Sequence, residues 1–373
     1  MRIEQLLGKA AGNIATVEPD YIVINDGISS GAIDMISKVA DPSRLFVIFD
    51  HDVPTGTPES AMVFRKINKF SNKHGAEFVQ AKGVGYSWLL ADKVEKGQII
   101  ITGGSHSSIF GAKDALGINV SNTELAKIIE IGKYSTIVPQ TICVQIVGNL
   151  AEGVSMIDAG LHFLNGNGNL QGKAIEFSSE NMDLHEKATL CSMACGTGAY
   201  SALFTEKPER QPDIVLDLSE VVPMIMLPCP SRAEQGNAAI ACAAMLDNKK
   251  IHAGQIGGYT GGSIEDLRLA AKISETGNLA LGFRLTVCPA TGADYIAAME
   301  DGTLEKLIDY GAQIHAVGDH SVNKQGAGVI GNGERLLTTG LYTFTGCMGC
   351  DDSEVYTASV QTIMNAGMKV IEP

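Results

Sequence analysis

Charge and aromatic side chains are scarce: Asp, Glu, Lys and Arg make up 19% of the 373 residues, Phe, Trp and Tyr 6%, and Trp occurs once. Basic residues are fewer than acidic ones, 28 Lys and Arg against 42 Asp and Glu, and the net charge is −14. The densest basic cluster, Arg65, Lys66, Lys69 and Lys73, is interleaved with Ile67, Asn68, Phe70 and Ser71, as on one face of a helix. With no basic block to neutralise phosphates, nucleic acid is excluded as a partner. No run approaches the roughly 18 apolar residues that cross a bilayer, which excludes a membrane-spanning role. The opening stretch MRIEQLLGKAAG lacks a basic segment followed by a long apolar one, so a cytoplasmic protein is expected. Pro-rich and Ser-rich linkers are missing as well, and domains are therefore expected to pack directly on one another. The eight Cys are scattered through a long chain, unlike the dense disulfide framework of a small secreted domain, so reduced thiols are expected.

What is abundant is Gly, with 42 residues, about 11% where about 7% is average, which implies many tight turns and close backbone approaches. Short apolar runs alternate with helical patterns, the arrangement that yields a parallel sheet with crossover helices and an α/β fold. Strands are expected at 21–25, 45–49, 77–79, 98–102, 141–147, 214–217, 251–256, 284–287 and 313–316. Helices are expected at 60–73, 121–131, 233–245, 263–273, 292–301, 303–310 and 353–366. Gly103-Gly104 and Gly257-Gly258 directly follow apolar strands, where open α/β sheets carry their ligands.

Three acid or hydroxyl and histidine groupings stand at strand ends. Asp50-His51-Asp52 follows the strand ending at Phe49, Ser105-His106-Ser107-Ser108 follows the first Gly pair, and Asp319-His320-Ser321 follows the strand near 313–316. An acid beside a His fixes its tautomer or adds a metal ligand, and a solvated loop with a hydrogen-bonded His is the plainer alternative. Asp319 and His320 are the candidate ligands of a divalent cation. Lys324 and Arg335, in the Gly-rich stretch behind them, suit an anionic group or a surface salt bridge. Cys347-Met348-Gly349-Cys350 has metal or redox spacing without the second pair that a zinc site needs, and free thiols are expected there. Cys191 and Cys195 fit an inward helix face.

Taken in order, these segments resemble the large subunit of 3-isopropylmalate dehydratase, within the aconitase superfamily. Asp50-His51-Asp52-Val53-Pro54-Thr55 is similar to D-H-x-x-P-T, and Gly103-Gly104-Ser105-His106-Ser107 to G-D-S-H-T. Ala188 to Met193 resembles M-T-x-C-N-M, Ile256 to Gly262 with Ile264-Glu265-Asp266-Leu267 resembles I-G-S-C-T-N-G-R-I-E-D-L, and Gly333-Glu334-Arg335 resembles G-E-R. The resemblance implies three packed α/β/α domains of the aconitase type (domains 1–3) around a central cleft, at 1–148, 149–248 and 249–373. It also implies a small-molecule carboxylic acid as ligand and a smaller, swivelling-domain subunit in trans that carries the family's catalytic serine.

The departures bear on chemistry. The family holds a [4Fe–4S] cluster on three Cys, and those positions are Tyr259, Asp319 and Val322 in this chain. Two carboxylate-binding Arg positions are Tyr342 and Cys347, the acid of G-D-S-H is Gly104, and the His of a G-x-x-H motif is Tyr86. Asp50, His51, Ser105 and His106 persist and are the expected catalytic set, with Thr260, Arg335, Tyr259 and Ser192 as expected substrate contacts. A cluster-free lyase or isomerase acting on a small hydroxy or oxo acid is expected, through acid–base or divalent-metal chemistry. The alternative is a non-catalytic, small-molecule-binding or regulatory relative.

Overall fold

The computed structural model describes residues 2–205 and 210–368. Five runs rich in Ile, Val and Phe form a parallel sheet in the order Glu77–Gln80, Leu45–Phe49, Tyr21–Asn25, Ile99–Thr102, Leu116–Asn119. Every residue of Leu45–Phe49 is buried, as a strand covered on both faces requires. The chain builds outward from Tyr21–Asn25 first on one side and then on the other. The crevice at the carboxyl ends of Tyr21–Asn25 and Ile99–Thr102 is therefore a topological switch point.

A second parallel sheet has the order Ser201–Thr205, Lys173–Ser178, Gln140–Val147, Ile214–Asp217. The third has seven strands, Ile240–Cys242, Met224–Met226, Glu354–Ala358, Arg335–Thr338, Ala253–Ile256, Arg284–Val287 and Gln313–Ile314, antiparallel over its first three and parallel thereafter. A two-stranded antiparallel ribbon pairs Ile14–Val17 with Tyr134–Ile137. Successive sheets occupy successive stretches of the chain. They change between Asn119 and Gln140 and between Asp217 and Met224, and the division into three domains at 148 and 248 stands as a proposal beside these limits.

Helix ends follow capping rules. Thr57 Oγ1 accepts the Ser60 N–H at the start of Pro58–His74, with Pro58 in the first turn and Gly75 in the left-handed conformation at the end. Ser121 and Ser263 cap Asn122–Ile131 and Ile264–Ser274 in the same way. Two helix expectations fail. Residues 233–245 are short 3₁₀ turns around the strand Ile240–Cys242, because Gly236-Asn237 interrupts the helical pattern and Ile240–Cys242 completes the sheet beside Met224–Met226. Residues 353–366 divide into the strand Glu354–Ala358 and the helix Val360–Met368. The β-branched and aromatic run Val355-Tyr356-Thr357 is taken up by the ladder with Arg335–Thr338.

The first and third sheets are tied at their carboxyl ends. Backbone N–H groups of Val84 and Gly292 donate to the carbonyls of Ala290 and Lys82 (2.7 and 3.0 Å), and that of Asp319 donates to the carbonyl of Asp50 (2.7 Å). Gly83 makes this approach feasible, since a Cβ there would lie 2.2 Å from the Ala290 carbonyl oxygen. Among the described residues no helix is long and apolar enough to cross a membrane.

Candidate active site

Between the carboxyl ends of the first and third sheets lies a cavity of about 820 Å³, lined by His51, Ser105, His106, Tyr259, Asp319 and Tyr342 among others. Each of these follows a parallel strand or the loop beyond it, so the two sheets aim their chemistry at one space. Asn25, Asn119 and Asn122 add amides from the switch point of the first sheet.

Asp50 is fully buried at the end of Leu45–Phe49. Its Oδ2 accepts the Gly85 N–H and the Tyr259 O–H, both at 2.7 Å. Its Oδ1 lies 2.8 Å from His51 Nδ1, and Asp26 Oδ1 lies 2.9 Å from the same nitrogen. Burial pushes the Asp50 carboxyl up to about 6 against the opposing pull of His51. Burial alone would lower His51, but the carboxylates of Asp50 and Asp26 outweigh it and hold the imidazole well above its usual range. Burial would also raise Asp26, and the His51 charge overrides it and lowers that carboxyl. His51 is thus an imidazolium, with its Nε2 face toward Asp319 Oδ2 at 3.8 Å.

His106 receives the opposite treatment. Its ring lies flat on Tyr259, with centroids 5.0 Å apart and planes at 6°, and Tyr342 meets it edge-on at 5.8 Å. Burial lowers it to about 4, so it is neutral near pH 7. Ser192 Oγ donates to the Tyr259 carbonyl (2.9 Å) and lies 3.0 Å from His106 Nδ1. With its own proton committed, Ser192 accepts the Nδ1–H, and this network leaves the lone pair on Nε2.

The expected residues separate into two groups. His51, Ser105, His106 and Tyr259 line the cavity, Ser105 Oγ hydrogen-bonds the Tyr342 hydroxyl, and Asp50, buried behind the lining, reaches the cavity only through His51 and Tyr259. Ser192 is fully buried and serves His106 and Tyr259 from behind. Thr260 is also buried, donating its hydroxyl to the Thr339 carbonyl, and does not line the cavity. Arg335 opens the strand Arg335–Thr338, and its guanidinium pairs with Glu354 at 2.5 Å, away from the cavity. Residues beyond a strand's carboxyl end reach a switch-point ligand, whereas Arg335 stands at the amino end.

Asp319 and His320 have different neighbours. Asp319 lines the cavity, and its Oδ1 accepts from Ser321 N and Oγ, at 2.9 and 2.6 Å. His320 instead packs on His315, with ring centroids 4.2 Å apart. Sequence reasoning missed Asp26 and Arg232. Asp26 follows the strand Tyr21–Asn25, and that strand-end position was the available signal. Arg232, exposed and on the cavity wall, stacks over Tyr342 at 5.5 Å and Phe344 at 5.9 Å. It gave no sequence signal, because it stands at the edge of the stretch expected to be a helix.

The iron–sulfur cluster implied by the resemblance does not fit these residues. Tyr259, Asp319 and Val322, the residues the resemblance sets at its three ligand positions, all line the cavity, and none of the three can supply a thiolate. Two sets of described residues bring ligand atoms within 4.8 Å of one another: Asp26, Asp50 and His51, and Cys288, His315 and His320. Neither contains more than one Cys. Cys347 is buried, its thiol directed at the Tyr342 carbonyl (3.6 Å), and burial pushes it up to about 12. Tyr86 and Gly104 depart from the pattern as a unit, since a Cβ at Gly104 would lie 2.4 Å from Tyr86 Oη. The tyrosine hydroxyl occupies the space a side chain at 104 would need.

A model of the aconitase family (aconitate hydratase) matches residues 6–210, more than half of the chain. The 3-isopropylmalate dehydratase large subunit of Pyrococcus horikoshii is 27% identical over 369 residues, covering 96% of this chain and 95% of that protein. The homoaconitase large subunit of Thermus thermophilus is 28% identical, over 94% of this chain and 89% of its own. Among solved structures, the holo form of Thermococcus kodakaraensis aconitase X superimposes with a TM-score of 0.57 at 11% identity, over 94% of this chain and 89% of that one, a likeness of fold.

Proposed function

The chain belongs to the aconitase family, and from that premise we propose that it is a cluster-free lyase or isomerase of the hydro-lyase kind, acting on a small hydroxy or oxo acid. The observation that carries this reading is a pair of histidines held in opposite protonation states on the wall of one cavity. His51, charged, is the general acid, and His106, neutral with its lone pair on Nε2, is the general base. In a dehydration, His106 removes the proton from the carbon beside the carboxylate, and that electron pair forms the double bond. The carbon–oxygen bond breaks as His51 delivers its proton to the departing hydroxyl, and water leaves. Asp50 and Asp26 position His51, Ser192 and Tyr259 position His106, and solvent resets the two rings.

Among the described residues lining the cavity, Arg232 is the only Lys or Arg, which favours a ligand with one carboxylate over the di- and tricarboxylic acids that paired Arg forks recognise. The relatives are named as large subunits, and we place this chain with a smaller subunit acting in trans.

Hydrogen–deuterium exchange of small hydroxy acids, followed by proton NMR with and without added divalent metal and a small subunit, tests the reading. Exchange at the carbon beside the carboxylate of a monocarboxylic hydroxy acid is expected, together with its loss in His106→Gln. Binding of such acids without exchange under every condition would instead identify a non-catalytic binding relative.

A further inference from the structure

Three groups unused by the acid–base chemistry converge beside the third sheet. We propose that Cys288, His315 and His320 form a mononuclear site for a divalent transition metal of the zinc or cobalt kind. Cys288 is the residue after the strand Arg284–Val287, and His315 the residue after Gln313–Ile314. Val287 and Ile314 are partners in the parallel ladder, and the His315 N–H donates to the Val287 carbonyl at 2.8 Å. Strand register therefore sets the first two ligands side by side, at the spacing of about 5 Å between neighbouring strands. The third returns through a tight loop pinned at both its last residues. Gln255 Nε2 donates to the His320 carbonyl at 2.9 Å, and Asp319 N–H donates to the Asp50 carbonyl.

The side chains agree with the backbone. One ligand atom from each residue lies within 4.8 Å of the other two. His320 Nε2 is 3.1 Å from both the Ala316 carbonyl oxygen and His315 Nδ1, and a backbone carbonyl is the group to which a metal-ligating imidazole commonly donates its second ring N–H. With that proton placed on Nε2, the lone pair sits on Nδ1. His320 is 2% exposed, and its Nδ1 is buried with no hydrogen-bond partner. A buried nitrogen lone pair without a donor is costly unless something else fills the role. Cys288, fully buried, likewise makes no side-chain hydrogen bond among the described residues.

The donor set selects the metal. Two imidazoles and a thiolate suit zinc, cobalt or ferrous iron and disfavour magnesium or calcium. A tetrahedral zinc holds such donors about 3.4–3.6 Å apart, so from separations of at most 4.8 Å closing the site asks for no more than about 1 Å of contraction. His315, half-buried, has the freedom to supply it. On binding, the Cys288 thiol loses its proton to solvent, and the three protein ligands leave a fourth position for water. A metal there would also fix the loop that carries Asp319 to within 3.8 Å of His51 Nε2.

Cobalt(II) titration of the reduced, metal-stripped full chain, without substrate, reads the site by absorption spectroscopy. One equivalent is expected to bind, with a thiolate-to-cobalt band in the near ultraviolet and tetrahedral bands in the red. Cys288→Ser should remove the near-ultraviolet band, and His315→Gln, at a half-buried position that tolerates change, should weaken cobalt binding by about tenfold or more. Lack of the near-ultraviolet band in the folded chain, its persistence in Cys288→Ser, or unchanged affinity in His315→Gln would each overturn the site. None of these readouts depends on turnover, so they stand apart from the acid–base proposal.

Discussion

Gly104→Ala is the sharpest probe of how this cavity is packed. The backbone at 104, with φ −128° and ψ 145°, is extended and admits any L residue. On that ground alone Ala should stabilise the fold by about 0.4–1 kcal/mol, through a less free unfolded chain. The new Cβ would, however, lie 2.4 Å from Tyr86 Oη and 3.2 Å from its Cζ. Reaching an ordinary contact of about 3.4 Å asks the hydroxyl to retreat by about 1 Å. The ring has little room, being fully buried between Phe110 and Tyr259 at centroid distances of 5.6 and 5.1 Å. Overpacking of this kind costs about 1–3 kcal/mol, so the net expectation is a loss of about 1–2 kcal/mol. Tyr86→Phe removes a buried hydroxyl that sits beside Thr102 and the Gly104 backbone without a well-formed hydrogen bond and should change stability by less than about 1 kcal/mol. Combined, the two changes should nearly restore the original stability, a coupling of about 1–2 kcal/mol. Trp88, the single tryptophan, lies two residues from Tyr86 on the helix Gly85–Asp92 and reports unfolding of this region in urea by fluorescence. Midpoints compared at equal m-value give the cycle. A coupling below about 0.5 kcal/mol, or a Gly104→Ala chain more stable than the parent, would refute the paired origin of these departures.

Thr339→Val tests the loop that carries Tyr259: Thr339 Oγ1 accepts the Gly257 N–H at 2.8 Å and donates to its carbonyl at 2.7 Å. Leaving both backbone groups buried and unpaired should cost about 1–3 kcal/mol, measured in urea. Arg335→Ala should leave acid binding unchanged in calorimetry and cost about 0–1 kcal/mol, because its Glu354 partner lies outside the cavity and both side chains are about a third exposed. Arg232→Met should weaken the same binding by about tenfold or more. Stability should also fall as pH rises through the neutral range. His51 is raised in the fold above its ordinary 6.5, so its contribution is complete below that value and is lost as pH climbs through the folded one. Asp50, raised from 3.8 to about 6, acts with the same sign between those values. Urea midpoints collected from about pH 6 to about pH 9 should decline in the parent chain and flatten in His51→Gln.

Much of the scaffold was legible because periodicity and capping act locally. The strands at 21–25, 45–49 and 284–287 and the helices at 292–301 and 303–310 lie within a residue of where the pattern puts them. Residues 233–245 and 353–366 escaped, since Ile240–Cys242 and Glu354–Ala358 are strands only by virtue of neighbours distant in sequence. The site was legible where chemistry follows a strand end directly, as at Asp50, His51, Ser105 and His106. It was not legible where a role depends on which end of the strand a residue occupies, the difference that removes Arg335, or on a loop crossing from another element, the route by which Arg232 arrives. Adjacent residues also mislead when a loop turns between them: Asp319 and His320 read as one pair and serve different neighbours.

The two histidines show how one cavity can hold two imidazoles in different charge states. Burial acts on both rings in the same sense, disfavouring charge. What separates them is the company each keeps. His51 has two carboxylates within 2.9 Å, whereas the nearest contacts of His106 are aromatic faces, the neutral Ser192 and the Cys195 thiol. Tyr259 belongs to both environments, offering its hydroxyl to Asp50 and its ring face to His106. A cysteine there would supply neither the O–H that helps hold Asp50 nor the flat surface that keeps His106 dry. At the position the resemblance assigns to a cluster cysteine, the tyrosine therefore helps set the two imidazoles apart. Each pKa unit of that separation corresponds to about 1.4 kcal/mol of bias on where the proton sits before substrate arrives.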